Sequence, residues 1–371
     1  MRVLHVYTGN LFGGVETALV SIAHWRHLCP GMEPTFALCY SGRLSRDLAG
    51  TGVTVHVLRD APGHTELPTA EARQWLAGIL ETGDFDVMVA HQLMVHAVLG
   101  PVAKDRGLRE FVWDHGITPA FWEWWANLVP SDGLLLNSAF LEEQTRHLFA
   151  GVPREVVHYP VADPVANDGP SGDEVRDLLR DELGTAADDV VILQSSRMVE
   201  MKGHLDLLDA LASLKDLAGW TAWVAGGPQR PQEDAYVEEL GKHSRGLGLA
   251  DRVRFLGERS DVQNLLRAAD VLCQPNRAPE SFGLSFIEAA HASLPTVTAA
   301  FGGAIEIFSP DHSGLFPPGD TASLAKILRT LVNSSEERER MGREGRARAL
   351  RICDPRTNLH ILRRALDPDT K

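Results

Sequence analysis

Cysteine is scarce in this chain. Cys29, Cys39, Cys273 and Cys353 are the only four, and no two stand in a CxxC spacing. That argues against a disulfide framework or a cysteine-held zinc site and fits a reducing, cytoplasmic compartment. Basic charge is also short: 36 Lys+Arg face 50 Asp+Glu, a formal net charge of −14. Such a surface repels phosphate backbones, so nucleic acid is not an expected partner. Residues 1–165 hold 11 Lys+Arg against 18 Asp+Glu, which disfavours an anionic lipid surface. Apolar runs of about 20 residues are missing, so no transmembrane helix is expected. The opening MRVLHVYTGN lacks the apolar stretch of a signal peptide. No GxGxxG follows the first apolar run, which counts against a dinucleotide oxidoreductase.

What is present is length and alternation. A chain of 371 residues is too long for one ordinary core and suits two domains. Val3 to Tyr7 reads as a strand that ends in Thr8-Gly9-Asn10-Leu11-Phe12-Gly13-Gly14, and a helix follows from Val15 to His27. Strand, Gly-rich loop and helix open a nucleotide-binding α/β fold. Further strands are expected at Thr35 to Cys39, Val53 to Val57, Val87 to Ala90, Glu110 to Trp113, Gly133 to Leu136 and Val156 to Tyr159. Residues 160–174, rich in Pro, Gly, Ala and Asp, read as a linker. A second alternation has strands at Val190 to Gln194, Thr221 to Ala225, Val253 to Leu256, Val271 to Gln274 and Pro295 to Thr298, then an Arg-rich helix over Ser335 to Arg351. Alternating strands and helices imply parallel sheets, so the fold class is α/β with two Rossmann-like domains.

Ligands of open parallel sheets bind beyond the carboxyl ends of the strands. Polar groups gather at those ends: Glu16 after Gly13-Gly14, His91, Asp114-His115-Gly116, Ser196-Arg197 with Lys202-Gly203, and Glu280 to Glu288. Breaking a sugar–diphosphate bond leaves growing negative charge, which cations and helix N-termini stabilise. Arg197 and Lys202 are two cations on one loop. Gly283 and Leu284 open a helix whose N–H groups can hold phosphate. Gly13 and Gly14 allow close backbone approach from the other domain. Glu280 and Glu288 are eight residues apart. On one regular helix that is a rise of about 12 Å, so one carboxylate can reach sugar hydroxyls and the other ribose hydroxyls.

The stretch from Glu280 through Phe282-Gly283 to Glu288 resembles the E-x7-E motif of the retaining, GT4-type glycosyltransferases of the GT-B fold. The resemblance continues through Leu294-Pro295-Thr296-Val297, Gly302 to Glu306 and Ser313 to Asp320. Arg197-x4-Lys202-Gly203 is similar to the family's phosphate clamp, Gly13-Gly14-Val15-Glu16 to its N-terminal turn, and Asn137-Ser138 to its Asn/Ser step. It implies that Arg197 and Lys202 bind the diphosphate, Glu288 the ribose and Glu280 the donor sugar, with His115 near the reacting sugar. It also implies metal-independent transfer of a hexose-type sugar from a nucleotide-diphosphate donor, UDP being the common nucleotide, with retained anomeric configuration and no cofactor. The acceptor would be a hydroxyl of a small molecule or glycan. The implied domains are 1–165 for the acceptor, 175–345 for the donor, and a helix within 346–371 packing back on the first. Two departures stand out. Ser196 replaces a usual Gly, and Ala290-His291-Ala292-Ser293 replaces a small, often Gly-containing segment.

Rival readings share the fold: a nucleotide-sugar epimerase or hydrolase, a sugar phosphorylase, or a non-catalytic nucleotide-sugar binding protein. Single features have plainer readings too. Asp84-Phe85-Asp86 has the metal-binding DxD form but precedes its strand, on the wrong side of the sheet. His115 fits either a core or a cleft, and His91 is a weaker acceptor candidate alongside Glu16. The run Phe121-Trp122-Glu123-Trp124-Trp125 is either helix packing or, through Trp122 and Trp125, an acceptor surface.

Overall fold

The computed structural model describes residues 1–9, 13–61, 67–162, 172–228 and 233–367. The middle of the first Gly-rich loop, Asn10 to Phe12, and most of the linker at 160–174 lie outside the described residues. The chain divides into two compact units, Met1–Ala162 with Cys353–Lys371, and Asp163–Ile352.

The first unit runs β1 (Arg2–Tyr7), α1 (Gly14–Trp25), β2 (Glu33–Tyr40), α2 (Arg43–Gly50), β3 (Val55–Arg59), α3 (Thr69–Thr82), β4 (Val87–His91), α4 (Leu93–Lys104), β5 (Arg109–Asp114), α5 (Ala120–Ala126), β6 (Gly133–Leu136), α6 (Ala139–Gln144) and β7 (Arg154–Val156). Its parallel sheet has the order β3-β2-β1-β4-β5-β6-β7. β1 and β4 are buried along nearly their whole length because helices cover both faces, which is why these strands read as continuous apolar runs. The strand expected over Val156 to Tyr159 is displaced to Arg154–Val156, where Leu134 to Leu136 of β6 supply its partners.

The second unit runs α7 (Gly172–Glu182), β8 (Val190–Ser195), α8 (His204–Ala212), β9 (Trp220–Ala225), α9 (Asp234–Gly246), β10 (Val253–Gly257), α10 (Val262–Ala268), β11 (Val271–Gln274), α11 (Leu284–His291), β12 (Thr296–Ala299), α12 (Gly303–Phe308), β13 (Leu315–Phe316), α13 (Thr321–Asn333) and α14 (Ser335–Ile352). Its sheet order is β10-β9-β8-β11-β12-β13, again parallel. The last helix, α15 (Pro355–Leu366), belongs to the first unit and packs on α1. Among the described residues no helix is long and apolar enough to cross a membrane.

Strand order reverses between β1 and β4 in one sheet and between β8 and β11 in the other. At such switch points neighbouring loops diverge and leave a crevice at the carboxyl ends of the strands. Glu16, His91, Arg197, Lys202 and Glu280 lie on or next to those loops, while Asp114 ends the neighbouring β5 and His115-Gly116 follow it.

Candidate functional site

In the second unit the loops after β8 and β11 are pressed together. Gln194 is buried and donates from Nε2 to the Lys202 carbonyl at 2.8 Å. A 3-10 turn, Glu200–Lys202, follows, and Gly203 takes φ +71°. A Cβ at Gly203 would sit 1.8 Å from the Pro275 carbonyl oxygen, so only glycine lets the two backbones approach this closely. The packing brings the Lys202 ammonium onto Glu280 Oε1, which also accepts from Asn276 Nδ2 at 3.2 Å and Gln274 Nε2 at 3.4 Å. Arg277 grips Asp206 through two bonds of 2.8 and 2.6 Å and fixes the same loop to α8.

Glu280 and Glu288 do not share a helix, contrary to the spacing argument. Glu280 lies in the loop, Gly283 caps α11 with φ +103°, and only Glu288 is helical. A rise of about 12 Å therefore does not describe the pair. The Glu280 carbonyl instead accepts from Gly303 N at 2.9 Å, which ties the loop to the start of α12. Phe282, expected beside the donor, is 1% exposed, so its ring belongs to the core rather than to a ligand surface. Leu284 is the first residue of α11, where N–H groups have no intrahelical acceptor.

Arg197 bonds to Glu233 Oε1 at 2.5 Å and keeps 39% of its side chain exposed. Both expected cations are thus held by carboxylates on accessible loops. Glu288 differs. Burial pushes its carboxyl up to about 7, and it has no hydrogen-bond or ion-pair partner among the described residues. The residue is nonetheless only part-buried, and its oxygens stay open to water.

The first unit carries the other expected residues. Glu16 is not an acceptor contact: it is 3% exposed, and its oxygens accept from Tyr7 Oη and from Gly13 N, each at 2.9 Å. It closes the turn that leads into Gly14 and α1. His91 is likewise excluded as a contact, being fully buried with both ring nitrogens engaged. It forms the middle of a chain that sequence reasoning missed. His5 Nδ1 meets His91 Nε2 at 2.9 Å, His91 Nδ1 meets His115 Nε2 at 2.8 Å, and His115 Nδ1 meets Tyr159 Oη at 2.9 Å. Asn137 Nδ2 donates to the same phenol oxygen at 3.0 Å. The row is continuous from His5 through His91 and His115 to the Tyr159 phenol. Burial keeps the rings neutral: it lowers His5 and His115 to about 3 and takes His91 well below its usual value. The signal available in the sequence was a histidine near the same level of three adjacent parallel strands.

Asp114 was noted at this strand end but given no role. It is 1% exposed at the end of an apolar strand, with Oδ1 accepting from His115 N at 3.0 Å and Oδ2 without a partner. Burial raises its carboxyl to about 7, against the opposing effect of the His115 and Gly116 amides. Asp114, His115, Gln92 and Trp122 line a cavity of about 330 Å³. Gln92 has φ +85° at the start of α4, a conformation non-glycine residues rarely hold.

The aromatic run serves two ends. Trp122 packs against the core and stacks on Trp125, with centroids 5.6 Å apart and planes at 8°, while Phe121 and Trp124 are 58% and 63% exposed. His96 holds this helix in place. Its Nδ1 meets Glu110 at 2.8 Å, and its Nε2 lies 3.3 and 3.2 Å from the Ala126 and Val129 carbonyls. The DxD residues are structural: Asp84 pairs with Arg2 at 2.7 Å, and Asp86 accepts from Arg2 N at 2.6 Å, at the amino end of β4.

Residues 175–348 match the model of a family described as Glycosyl transferases group 1. A D-inositol 3-phosphate glycosyltransferase of Jonesia denitrificans is 32% identical over 218 residues, 56% of this chain and 50% of that protein. D-inositol 3-phosphate glycosyltransferase 1 of Catenulispora acidiphila is 30% identical over 365 residues, 90% of this chain and 82% of its own length. The chain spans about half the length of several of the curated relatives that it matches. Among solved structures, Anabaena Alr3699/HepE in complex with UDP and glucose gives a TM-score of 0.84 at 24% identity, covering 99% of this chain and 100% of that one. WaaG, a glycosyltransferase involved in lipopolysaccharide biosynthesis, gives 0.69 at 18% identity, covering 100% of each chain. These structural likenesses are to the GT-B fold. The chain belongs to the group 1 glycosyl transferases.

Proposed function

We propose that this protein transfers a hexose-type sugar from a nucleotide-diphosphate donor, UDP being the nucleotide favoured, to a hydroxyl acceptor with retention of configuration. The observation that carries the reading is the pair of accessible cations on the loop after β8, Arg197 held on Glu233 and Lys202 held on Glu280, in the loop that leads into α11. Glu288, part-buried on α11, is placed in this reading to accept from ribose hydroxyls. The complexes of Alr3699/HepE with UDP and with UDP-glucose support the choice of nucleotide.

In this reading the donor exchanges partners within the site. The diphosphate draws Lys202 from Glu280, and Arg197 from Glu233. Glu280 is then free to accept from sugar hydroxyls. The acceptor oxygen bonds to the anomeric carbon on the face from which the diphosphate leaves. The carbon–oxygen bond to phosphate breaks, and the acceptor proton passes to a donor phosphate oxygen. Charge on the leaving group is met by Arg197, Lys202 and the opening N–H groups of α11, so a divalent cation is not required. His115 contributes through its placement at the end of β5, its ring nitrogens being engaged by His91 and Tyr159. Four buried free thiols support a cytoplasmic setting.

The test is a screen of nucleotide sugars for donor hydrolysis in the presence of chelator, followed by acceptor trials with the best donor. Lys202→Ala is expected to lower kcat by about a hundredfold with a smaller change in donor affinity. Strict dependence on added metal, or unchanged kinetics in Lys202→Ala, would overturn the reading. Hydrolysis that no acceptor converts to transfer would point to a hydrolase.

A further inference from the structure

We propose that Gln274 and Asn276 are positioning residues of the donor site: their side-chain amides hold Glu280 by one carboxylate oxygen, Oε1, and so present Oε2 to the donor sugar when Lys202 leaves for the diphosphate. The assignment rests on the transferase reading above. Three observations carry it. First, every protein bond to the Glu280 carboxylate goes to the same atom. Lys202 Nζ, Asn276 Nδ2 and Gln274 Nε2 all reach Oε1, the two amides at 3.2 and 3.4 Å. Both exceed the usual N–H···O length while the ammonium shares the atom, and they can shorten once it leaves. Oε2 has no protein partner among the described residues, and 25% of the side chain is exposed, so a ligand hydroxyl has one open oxygen to approach.

The second observation is the order of the amides. Gln274 and Asn276 are both buried, and Gln274 Nε2 also donates to Asn276 Oδ1 at 3.3 Å. Turning the Gln274 amide over would set its carbonyl oxygen against two acceptors, so the orientation is fixed. It leaves Gln274 Oε1 buried without a donor, a cost that an apolar residue of the same shape would not bear.

The third is a main chain anchored on both sides of the contact. The Gln274 carbonyl accepts from Thr298 Oγ1 at 2.8 Å and from Asn276 N at 2.9 Å. The Glu280 carbonyl accepts from Gly303 N, and a Cβ at Gly302 would sit 2.6 Å from that carbonyl oxygen, so the loop and the start of α12 are in close contact. The grip on Oε1 therefore does not depend on Lys202. Its neutrality suits the exchange. A cation in the same place would itself be drawn to the diphosphate, whereas an amide stays on the carboxylate and leaves the diphosphate to Arg197 and Lys202.

The experiment measures binding of UDP and of UDP-glucose to the full chain by calorimetry. It compares the wild type, Asn276→Ala and Gln274→Met, each with and without Glu280→Ala. Both amide variants are expected to weaken UDP-glucose about tenfold and to leave UDP within about twofold, because only the sugar uses Oε2. In the Glu280→Ala background neither is expected to change the ratio of the two affinities further. Thermal unfolding identifies a variant that fails to fold, and the other then decides. Equal losses for the two ligands in a folded variant, unchanged UDP-glucose affinity, or full additivity with Glu280→Ala would overturn the proposal and leave the transferase reading standing. A wild type that binds neither ligand would overturn the donor reading itself, and the proposal with it.

Discussion

Glu288 is part-buried on α11, where a ligand can reach its carboxyl. Its carboxyl is raised to about 7 because burial disfavours the anion and no donor offsets it. Ribose hydroxyls would favour the anion, so bound nucleotide lowers this carboxyl and binding releases a proton. The sign follows: affinity for UDP rises with pH up to about 7 and levels above it, with a limiting slope of about tenfold per pH unit. Glu288→Gln stays neutral and should weaken binding while removing that part of the slope. Calorimetry in buffers of different ionisation enthalpy measures the released proton directly, and an identical release in Glu288→Gln would refute the assignment. The loops after β8 and β11 that carry the proposed donor residues were legible in the sequence because their spacing and order are local. Phe282, Glu16 and His91 were misjudged because burial is a property of the packed fold: each is adjacent to the right loop but turned inward. His5 was overlooked because a single polar residue in an apolar strand gives no pattern to read, and Asp114 was noted only beside His115, with no role of its own.

At the scale of elements, the register of the β8 and β11 loops rests on Gly203. With φ +71° and a virtual Cβ 1.8 Å from the Pro275 carbonyl oxygen, Gly203→Ala meets both backbone strain and a clash with main chain. A loss of about 3 kcal/mol or more is expected, read as a fall in the denaturant midpoint of the second unit. Gly319 supplies the control, since it has φ +78° but nothing within 4 Å of its virtual Cβ. Gly319→Ala should cost only the strain of the left-handed conformation, about 1–2 kcal/mol. Equal losses in the two variants would mean that the close approach at Pro275 is relaxed rather than fixed. Most strands could be read in advance because covered parallel strands are unbroken apolar runs. β13 could not, being two residues long and defined only by its pairing with β12. The break between Glu280 and α11 was missed because two acids eight apart look the same on a helix as across a glycine cap.

The whole molecule is discontinuous in sequence: the chain leaves the first unit after Ala162 and returns at Cys353. α14 is fixed to the second unit. A Cβ on Gly342 would sit 2.0 Å from the Ser293 carbonyl oxygen, and Arg348 Nη2 donates to the Glu306 carbonyl at 2.8 Å. One residue after α14 ends, at Cys353, the chain belongs to the first unit. Asp354 caps α15 by accepting from Thr357 N at 2.7 Å, and Arg363 donates to the Pro30 carbonyl at 3.1 Å. Leu359, Leu362 and Leu366 are buried to within 1% exposure, so this short helix completes the core of a unit whose other residues end some 190 positions earlier. Leu359→Ala should therefore cost about 2–5 kcal/mol. If the units are separate cooperative bodies, the loss falls on the first alone. Hydrogen exchange is then expected to speed up in α1 and β1 and to stay unchanged in α13 and α14, although α14 is the nearer in sequence. Equal acceleration in both units would show that they open as one, and that the return of the chain at Cys353 couples their stabilities.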